Sequence, residues 1–209
     1  MENACLAHGW ATLLCNADES PDQFNRYVDT LRRQRVDGAI VTPTGLGEHA
    51  VKDLVDDGVQ VVCVDREVAG SSLPSVTSDP WNGMGEAVDH LLERGHRRIG
   101  FITGPQQTST GLERYQAYCQ LLAEHDVDVV DDLVVEGDYQ EESGRVGAGQ
   151  LIDRGATAVF ASDSLMSMGA LRTCLDRGVR IGEDIDLVGF DDLPVFSLTN
   201  PALTVVAQD

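Results

Sequence analysis

The sequence predicts an α/β fold built from two Rossmann-like lobes with parallel sheets, and two recurring features carry that prediction. Runs rich in β-branched residues alternate with amphipathic stretches. Four of those stretches end alike, at Leu54-Val55-Asp56-Asp57-Gly58, Leu91-Leu92-Glu93-Arg94-Gly95, Leu151-Ile152-Asp153-Arg154-Gly155 and Cys174-Leu175-Asp176-Arg177-Gly178. Glycine adopts positive φ without a Cβ clash, so each ending reads as a helix C-terminus with a left-handed cap. Strands are expected directly after three of them, at 59–65, 99–103 and 158–162. The strand at 185–190 follows the fourth after a short Gly182-Glu183-Asp184 loop. Strand, helix, glycine and strand in repetition imply βαβ units and hence parallel pairing.

The elements follow in order. Residues 4–9 read as the last turn of a helix and 10–16 as an apolar strand. Ser20-Pro21-Asp22-Gln23 supplies an N-cap serine, a first-turn proline and a glutamine at the capping-box position. Phe24, Tyr27, Val28 and Leu31 then recur on one helical stripe. A further strand is expected at about 38–42, and helices at about 46–57, 82–94, 112–125, 142–154 and 165–177. Trp81, Met84, Tyr115 and Met168 are expected in the core. The turn-rich run Ala69-Gly70-Ser71-Ser72-Leu73-Pro74-Ser75 marks the internal boundary. It separates a partial N-terminal lobe, 1–78, from a C-terminal lobe, 79–209, that ends in a crossover segment.

Composition narrows the function. The 209 residues can bury a full core, and 42% apolar with 24% charged residues suits a soluble globular protein. No apolar run approaches the ~18 residues that span a membrane. Fifteen Lys+Arg against 35 Asp+Glu leave a net charge of −20, so DNA phosphates and anionic membranes are repelled. Five scattered cysteines without a CxxC pair read as buried, reduced thiols, and the first six residues lack the pattern of a signal peptide. A cytoplasmic protein is expected. Walker A, GxSxG and HExxH signatures are absent, and Gly83-Met84-Gly85 lacks the third glycine of a dinucleotide fingerprint. The histidines form no metal-ligand spacing, with His96 read as a loop residue after a helix end. Asp191 and Asp192, as neighbours, point in different directions and make a poor acid–base pair. No enzyme, metal or cofactor is expected.

What remains is a set of polar residues at the C-terminal ends of the expected strands, where α/β sheets bind ligands. They are Thr44, Asp65, the 108–110 loop with Arg114, Tyr139, Asp163 and Asp191. Carboxylates accept from vicinal hydroxyls, arginine donates a planar fork, and an aromatic face covers C–H surface, a mixture that suits a sugar or polyol. Taken singly, each is equally a solvated loop residue.

Several segments together resemble the LacI/GalR family of bacterial transcriptional regulators. They are Arg35-Val36-Asp37-Gly38-Ala39-Ile40, Val64-Asp65-Arg66, Gly95-His96-Arg97-Arg98-Ile99-Gly100-Phe101-Ile102-Thr103-Gly104-Pro105, Gly137-Asp138-Tyr139, Val188-Gly189-Phe190-Asp191-Asp192 and Leu203-Thr204-Val205-Val206-Ala207-Gln208. The resemblance implies an effector-binding core of the periplasmic-binding-protein type I fold, with a small-molecule effector between the lobes and a homodimer that passes the signal to operator DNA. It also implies that Arg114 and Asp191 bind the effector, that Tyr139 packs on it, and that Asp65 and Gln208 line the cleft. Asp163 stands where many members have an amide. The family's helix-turn-helix has no counterpart in this sequence, and neither has the first strand of its N-terminal lobe, which leaves 10–16 without its neighbour. A periplasmic sugar-binding protein is the alternative that shares the fold.

Overall fold

The computed structural model describes residues 2–46 and 48–208. Met1 and Asp209, the outer bounds of the two expected lobes, lie outside the described residues. The chain opens with α1 (Glu2–Ala7) and an irregular stretch, then α2 (Pro21–Gln34), β1 (Gly38–Val41), α3 (Glu48–Asp56), β2 (Gln60–Val64) and β3 (Ser75–Val76). A longer alternation follows: α4 (Trp81–Glu93), β4 (Ile99–Thr103), α5 (Ser109–Glu124), β5 (Val134–Glu136), α6 (Glu141–Asp153), β6 (Ala158–Ala161), α7 (Ser164–Arg177), β7 (Asp186–Phe190) and β8 (Thr204–Val206). Short 3-10 turns at Asp131–Leu133 and Pro194–Leu198 complete it.

All the strand pairings are parallel, in two sheets ordered β1-β2-β3 and β5-β4-β6-β7-β8. In the second sheet β5 lies on one side of β4, and β6 on the other. The crossover from β5 to β6 therefore reverses direction at β4, and the C-terminal ends of β4 and its neighbours open a crevice there. The four glycine endings behave as their sequence implies: Gly58, Gly95, Gly155 and Gly178 all have positive φ, at 86°, 90°, 77° and 66°.

The C-terminal sheet is covered on both faces. One layer buries Met84, Leu91 and Tyr118 of α4 and α5 against Phe101, Phe160 and Phe190 of the sheet. The other buries Leu151, Met166 and Ala170 of α6 and α7 against Ile102 and Leu187 of the sheet and Phe196 of the last 3-10 turn. Phe101 stacks on Tyr118 at 4.4 Å and meets Phe160 edge-on at 5.6 Å, while the Tyr118 hydroxyl donates to the Ile99 carbonyl at 2.8 Å. Its phenol is thus satisfied inside an apolar layer. The N-terminal sheet has one smaller core, in which Phe24 and Val28 of α2 meet Val41, Val51, Leu54 and Val61. Tyr27 and Leu31, on the same stripe, are half-buried.

Several expectations need correction. Residues 10–16 form no strand, and Trp10 and Leu14 are exposed, because among the described residues no partner offers them a ladder. β3 begins on Ser75, the last residue of the turn-rich boundary, and pairs with β2; two residues are too few to show a period. Gln23 does not close a capping box. The Ser20 hydroxyl accepts from the Gln23 amide at 3.3 Å, but the Ser20 N–H is already committed to the Ala17 carbonyl, and the Gln23 side chain turns to the Asn16 carbonyl. The 108–110 stretch is a helix start rather than a loop: Thr108 caps α5 by accepting from the Gly111 amide at 3.1 Å. Of the cysteines only Cys63 and Cys174 are buried; Cys5, Cys15 and Cys119 are partly exposed, and all five are free thiols. His96 does more than end a turn. Its Nε2 lies 2.8 Å from the Asp186 carboxylate, which also accepts from Arg94, and its Nδ1 lies 3.0 Å from the Thr157 hydroxyl. Of the four expected core side chains, Met84 is fully buried, Trp81 and Tyr115 pack partly buried against its layer, and Met168 packs partly buried against the opposite layer. Among the described residues no helix is long and apolar enough to cross a membrane.

Candidate ligand-binding site

The polar residues expected at strand ends fall into two groups that face each other. Beyond β1 and β2 stand Thr44 and Asp65, the latter beside Arg66, which was not among those expected. Beyond β4, β5, β6 and β7 stand Arg114, Tyr139, Asp163 and Asp191. Direct contacts join the groups: the Glu67 amide donates to the Ser109 hydroxyl at 2.9 Å, and the Arg66 guanidinium lies 4.6 Å over the Tyr139 ring. Gly45 packs so closely on the Gln107 carbonyl that a Cβ there would sit 2.3 Å from its oxygen. The chain takes positive φ at that point, which glycine alone accepts freely.

Arg114 projects from α5 and is 6% exposed. Its Nη1 donates to the Ser162 carbonyl at 2.7 Å, and its guanidinium carbon lies 3.9 Å from the Phe190 ring centroid. One hydrogen bond and one stacked face fix the side chain, leaving further N–H donors for another group. Asp191 follows β7 with its amide bonded to the Val206 carbonyl at 2.8 Å, and its carboxylate accepts from the Gln208 amide. Gln208 is otherwise exposed. The Tyr139 hydroxyl lies 2.9 Å from Thr108 Oγ1 and 3.1 Å from Thr110 Oγ1.

Three of these residues are held in the left-handed region without being glycine: Asp65 at φ 68°, Tyr139 at 63° and Asp191 at 64°. Such backbone is sparsely populated, most of all for a bulky aromatic, and concentrates where geometry serves function. Asp65 and Asp191 follow directly on the ends of β2 and β7, and Tyr139 comes three residues after the end of β5.

Asp163 caps α7, its Oδ1 accepting from the amides of Leu165 and Met166 at 2.9 and 3.0 Å. Burial pushes its carboxyl above the usual range, and the Asp191 charge adds to this; the Met166 hydrogen bond and the Arg114 charge oppose it without prevailing. Between the ordinary and the raised value the folded state holds more protons than the unfolded chain. Stability therefore falls as pH rises through that window, and the cost is complete above it. Asparagine keeps the cap oxygen and drops the charge. Asp163→Asn is expected to stabilise the protein at neutral pH and to make little difference at about pH 3, where the carboxyl is protonated in both states. Urea denaturation at the two pH values measures this directly.

Arg66 is the residue that sequence reasoning passed over. It is 5% exposed, its fork grips Glu19 at 2.7 and 2.9 Å, and Nη1 also reaches the Pro43 carbonyl at 3.3 Å. Burial disfavours its charge, but the Glu19 hydrogen bonds and charge outweigh this and hold its pKa above the ordinary value. Val64-Asp65-Arg66 was visible as a motif, but the C-terminal end of the expected strand pointed to the aspartate alone.

The more open surface depressions lie elsewhere. One is lined by Asp29, Arg32, Arg33 and Asp57. Another, lined by residues such as His90, Arg94, Gly182 and Asp186, sits at the N-terminal edge of the C-terminal sheet. Neither gathers strained backbone or unpaired buried donors. The interlobe face does both.

Two parallel α/β sheets with converging C-terminal edges have the architecture of a periplasmic-binding-protein-like domain, and the family described as "Periplasmic binding protein-like domain" matches residues 88–209. A probable LacI family transcriptional regulator from Corynebacterium glutamicum superposes with a TM-score of 0.90 at 34% identity, over 100% of this chain and 80% of that one. The chain belongs to the LacI/GalR family. It is also similar to the HTH-type transcriptional repressor PurR of Proteus mirabilis (strain HI4320), at 32% identity over 212 residues and 100% of this chain. A transcriptional regulator CelR–cellobiose complex aligns at 32% identity and a TM-score of 0.75, over 89% of this chain and 58% of that one. The chain spans 62% of the length of the curated relatives it matches. Those relatives are named as repressors, not as transport proteins.

Proposed function

We propose that these residues form the effector-binding core of a cytoplasmic transcriptional regulator that works as a homodimer. In this reading a small molecule lies between the two lobes, 1–78 and 79–209. It is held by Thr44, Asp65, Arg114, Tyr139, Asp163, Asp191 and Gln208, and it shifts the balance between open and closed arrangements of the lobes. The observation that carries the reading is the contact of the two sheet edges, where Arg66 beside Asp65 lies over the Tyr139 ring, with Asp65, Tyr139 and Asp191 on left-handed backbone. Hydroxyl and carboxylate groups around the Arg114 guanidinium, which keeps further N–H donors, suit a neutral sugar or polyol, and a relative captured with cellobiose supports that class. The protein is proposed to bind and not to catalyse.

DNA contact is assigned to sequence beyond these 209 residues. With a net charge of −20, the chain by itself gains nothing from a phosphate backbone. Fluorescence anisotropy with duplex DNA from the gene's own upstream region tests this at low salt, where attraction is strongest. The 209-residue chain is expected to give no retention. A longer form carrying the additional sequence is expected to bind, with an affinity that the effector changes by a coupling free energy. Tight, sequence-specific retention by the chain alone would contradict the assignment.

A further inference from the structure

The depression between the end of α4 and the start of β8 lies at the sheet edge opposite the cleft. It holds about 440 Å³, within the range of about 300–1,000 Å³ in which small molecules are bound. Leu91 and Leu187 form its apolar base, and both are buried. Ile181 and the exposed Ala202 continue that apolar surface up the walls. His90 and Arg94 stand one helical turn apart on α4 and share a side of the hollow.

The charged groups around the hollow are already paired. The Asp186 carboxylate accepts from Arg94 Nε, from Arg94 Nη2 at 3.1 Å and from His96 Nε2 at 2.8 Å. Arg94 Nη2 also reaches the Gly182 carbonyl at 3.5 Å, and Glu183 accepts from Arg180. Among the described residues, Arg94 Nη1 takes part in no hydrogen bond, and the His90 ring beside it is exposed. These facts select a ligand by elimination. A cation meets no free carboxylate. An anion gains little from Arg94, whose charge Asp186 balances, and it meets Glu183 and the negative end of the α4 dipole. A polyol would have to lay hydroxyls on the apolar base without partners. An uncharged molecule with an apolar body buries that body and can accept from Arg94 Nη1 through a carbonyl oxygen.

We infer that this hollow is a second ligand site, which takes an uncharged, largely apolar molecule bearing a carbonyl acceptor. Arg94 is its specificity-determining residue, held in place by Asp186. The site differs from the cleft in position and in ligand class, and it stands or falls independently of the cleft.

Benzamide, benzoate and benzylamine share one apolar body and differ in the head group, so they test the site and its selectivity together. Each is titrated into the isotope-labelled 209-residue chain, and backbone amide NMR shifts are followed. Benzamide is expected to move the amides of Arg94, Gly182 and Thr204 in a saturable way. Benzoate and benzylamine should bind there at least about threefold more weakly. Ala202→Trp fills the hollow from its exposed rim, so the benzamide shifts should vanish while the melting temperature stays within a few degrees. Arg94→Met removes the donor and leaves His96 on Asp186. It should weaken benzamide about threefold or more and erase its advantage over benzylamine. The inference is overturned if benzamide moves none of these amides or if Ala202→Trp binds it as the parent does. Benzoate or benzylamine binding there as tightly as benzamide, or an advantage for benzamide that survives in Arg94→Met, would overturn it equally.

Discussion

Arg114→Ala is expected to weaken effector binding about tenfold to a hundredfold, the ~1.5–3 kcal/mol that follows when a desolvated ligand loses a charged hydrogen-bond partner. The structure accounts for the size. Arg114 is buried and fixed by the Ser162 carbonyl and the Phe190 ring, so its remaining donors are oriented before a ligand arrives. A preoriented donor gives up little entropy on binding, and its removal is felt nearly in full. Asp191→Asn should cost a similar factor by a different route. Asparagine retains the size, tolerates the left-handed backbone at φ 64° and can still accept from Gln208, but it lacks the negative charge. The fold should therefore survive. Calorimetric titration of both variants, with thermal denaturation as a check on folding, measures the effect. Parent-like affinity in both would remove these two residues from the site.

Gly169→Ala should destabilise the fold by about 3 kcal/mol or more, at the upper end for an overpacked core, although alanine is the better helix former. α6 and α7 pack backbone to backbone. A Cβ on Gly169 would lie 2.0 Å from the Glu141 carbonyl oxygen and 2.5 Å from the Arg145 nitrogen, and one on Gly144 would lie 2.2 Å from the Met166 carbonyl oxygen. Main chain cannot rotate aside as a side chain can, so the helices must separate and strip contacts from the layer that contains Met166, Ala170 and Leu151. For a chain of this length the loss corresponds to a fall of about 6–12 °C in Tm. Gly85 in α4 is the internal control. Its added Cβ meets only the Leu121 Cδ2, at an ordinary 3.6 Å, so Gly85→Ala should stabilise by about 0.5–1 kcal/mol. Urea denaturation of the two variants should give shifts of opposite sign; two shifts of the same sign would refute the close-packing account.

Legibility in the sequence followed the range of the forces involved. Helix endings were readable because a left-handed cap selects glycine locally, and β4 because 99–102 is an apolar run, Thr103 closing a strand buried on both faces. Residues 10–16 misled because apolar composition says nothing about whether a partner strand is present. β8, with three residues, was visible only as part of a motif. The same limit governs the site. Asp65, Tyr139 and Asp191 could be placed by following each strand to its end. Arg66, one residue further on, acquires its meaning from Glu19, which is 47 positions away, and from Tyr139 on the other sheet. No local pattern encodes that meeting. Ser162 was hidden for a related reason, since a small hydroxyl becomes informative only once its surroundings leave it unpaired.

The central claim is that the effector sits between the C-terminal edges of the two sheets, and a crystal structure of the chain with a bound effector tests it most directly. The account predicts ligand density in contact with both Arg114 and Asp191 from one side and with Asp65 from the other. Density confined to the depression lined by His90, Arg94 and Asp186, at the opposite edge of the C-terminal sheet, would contradict it.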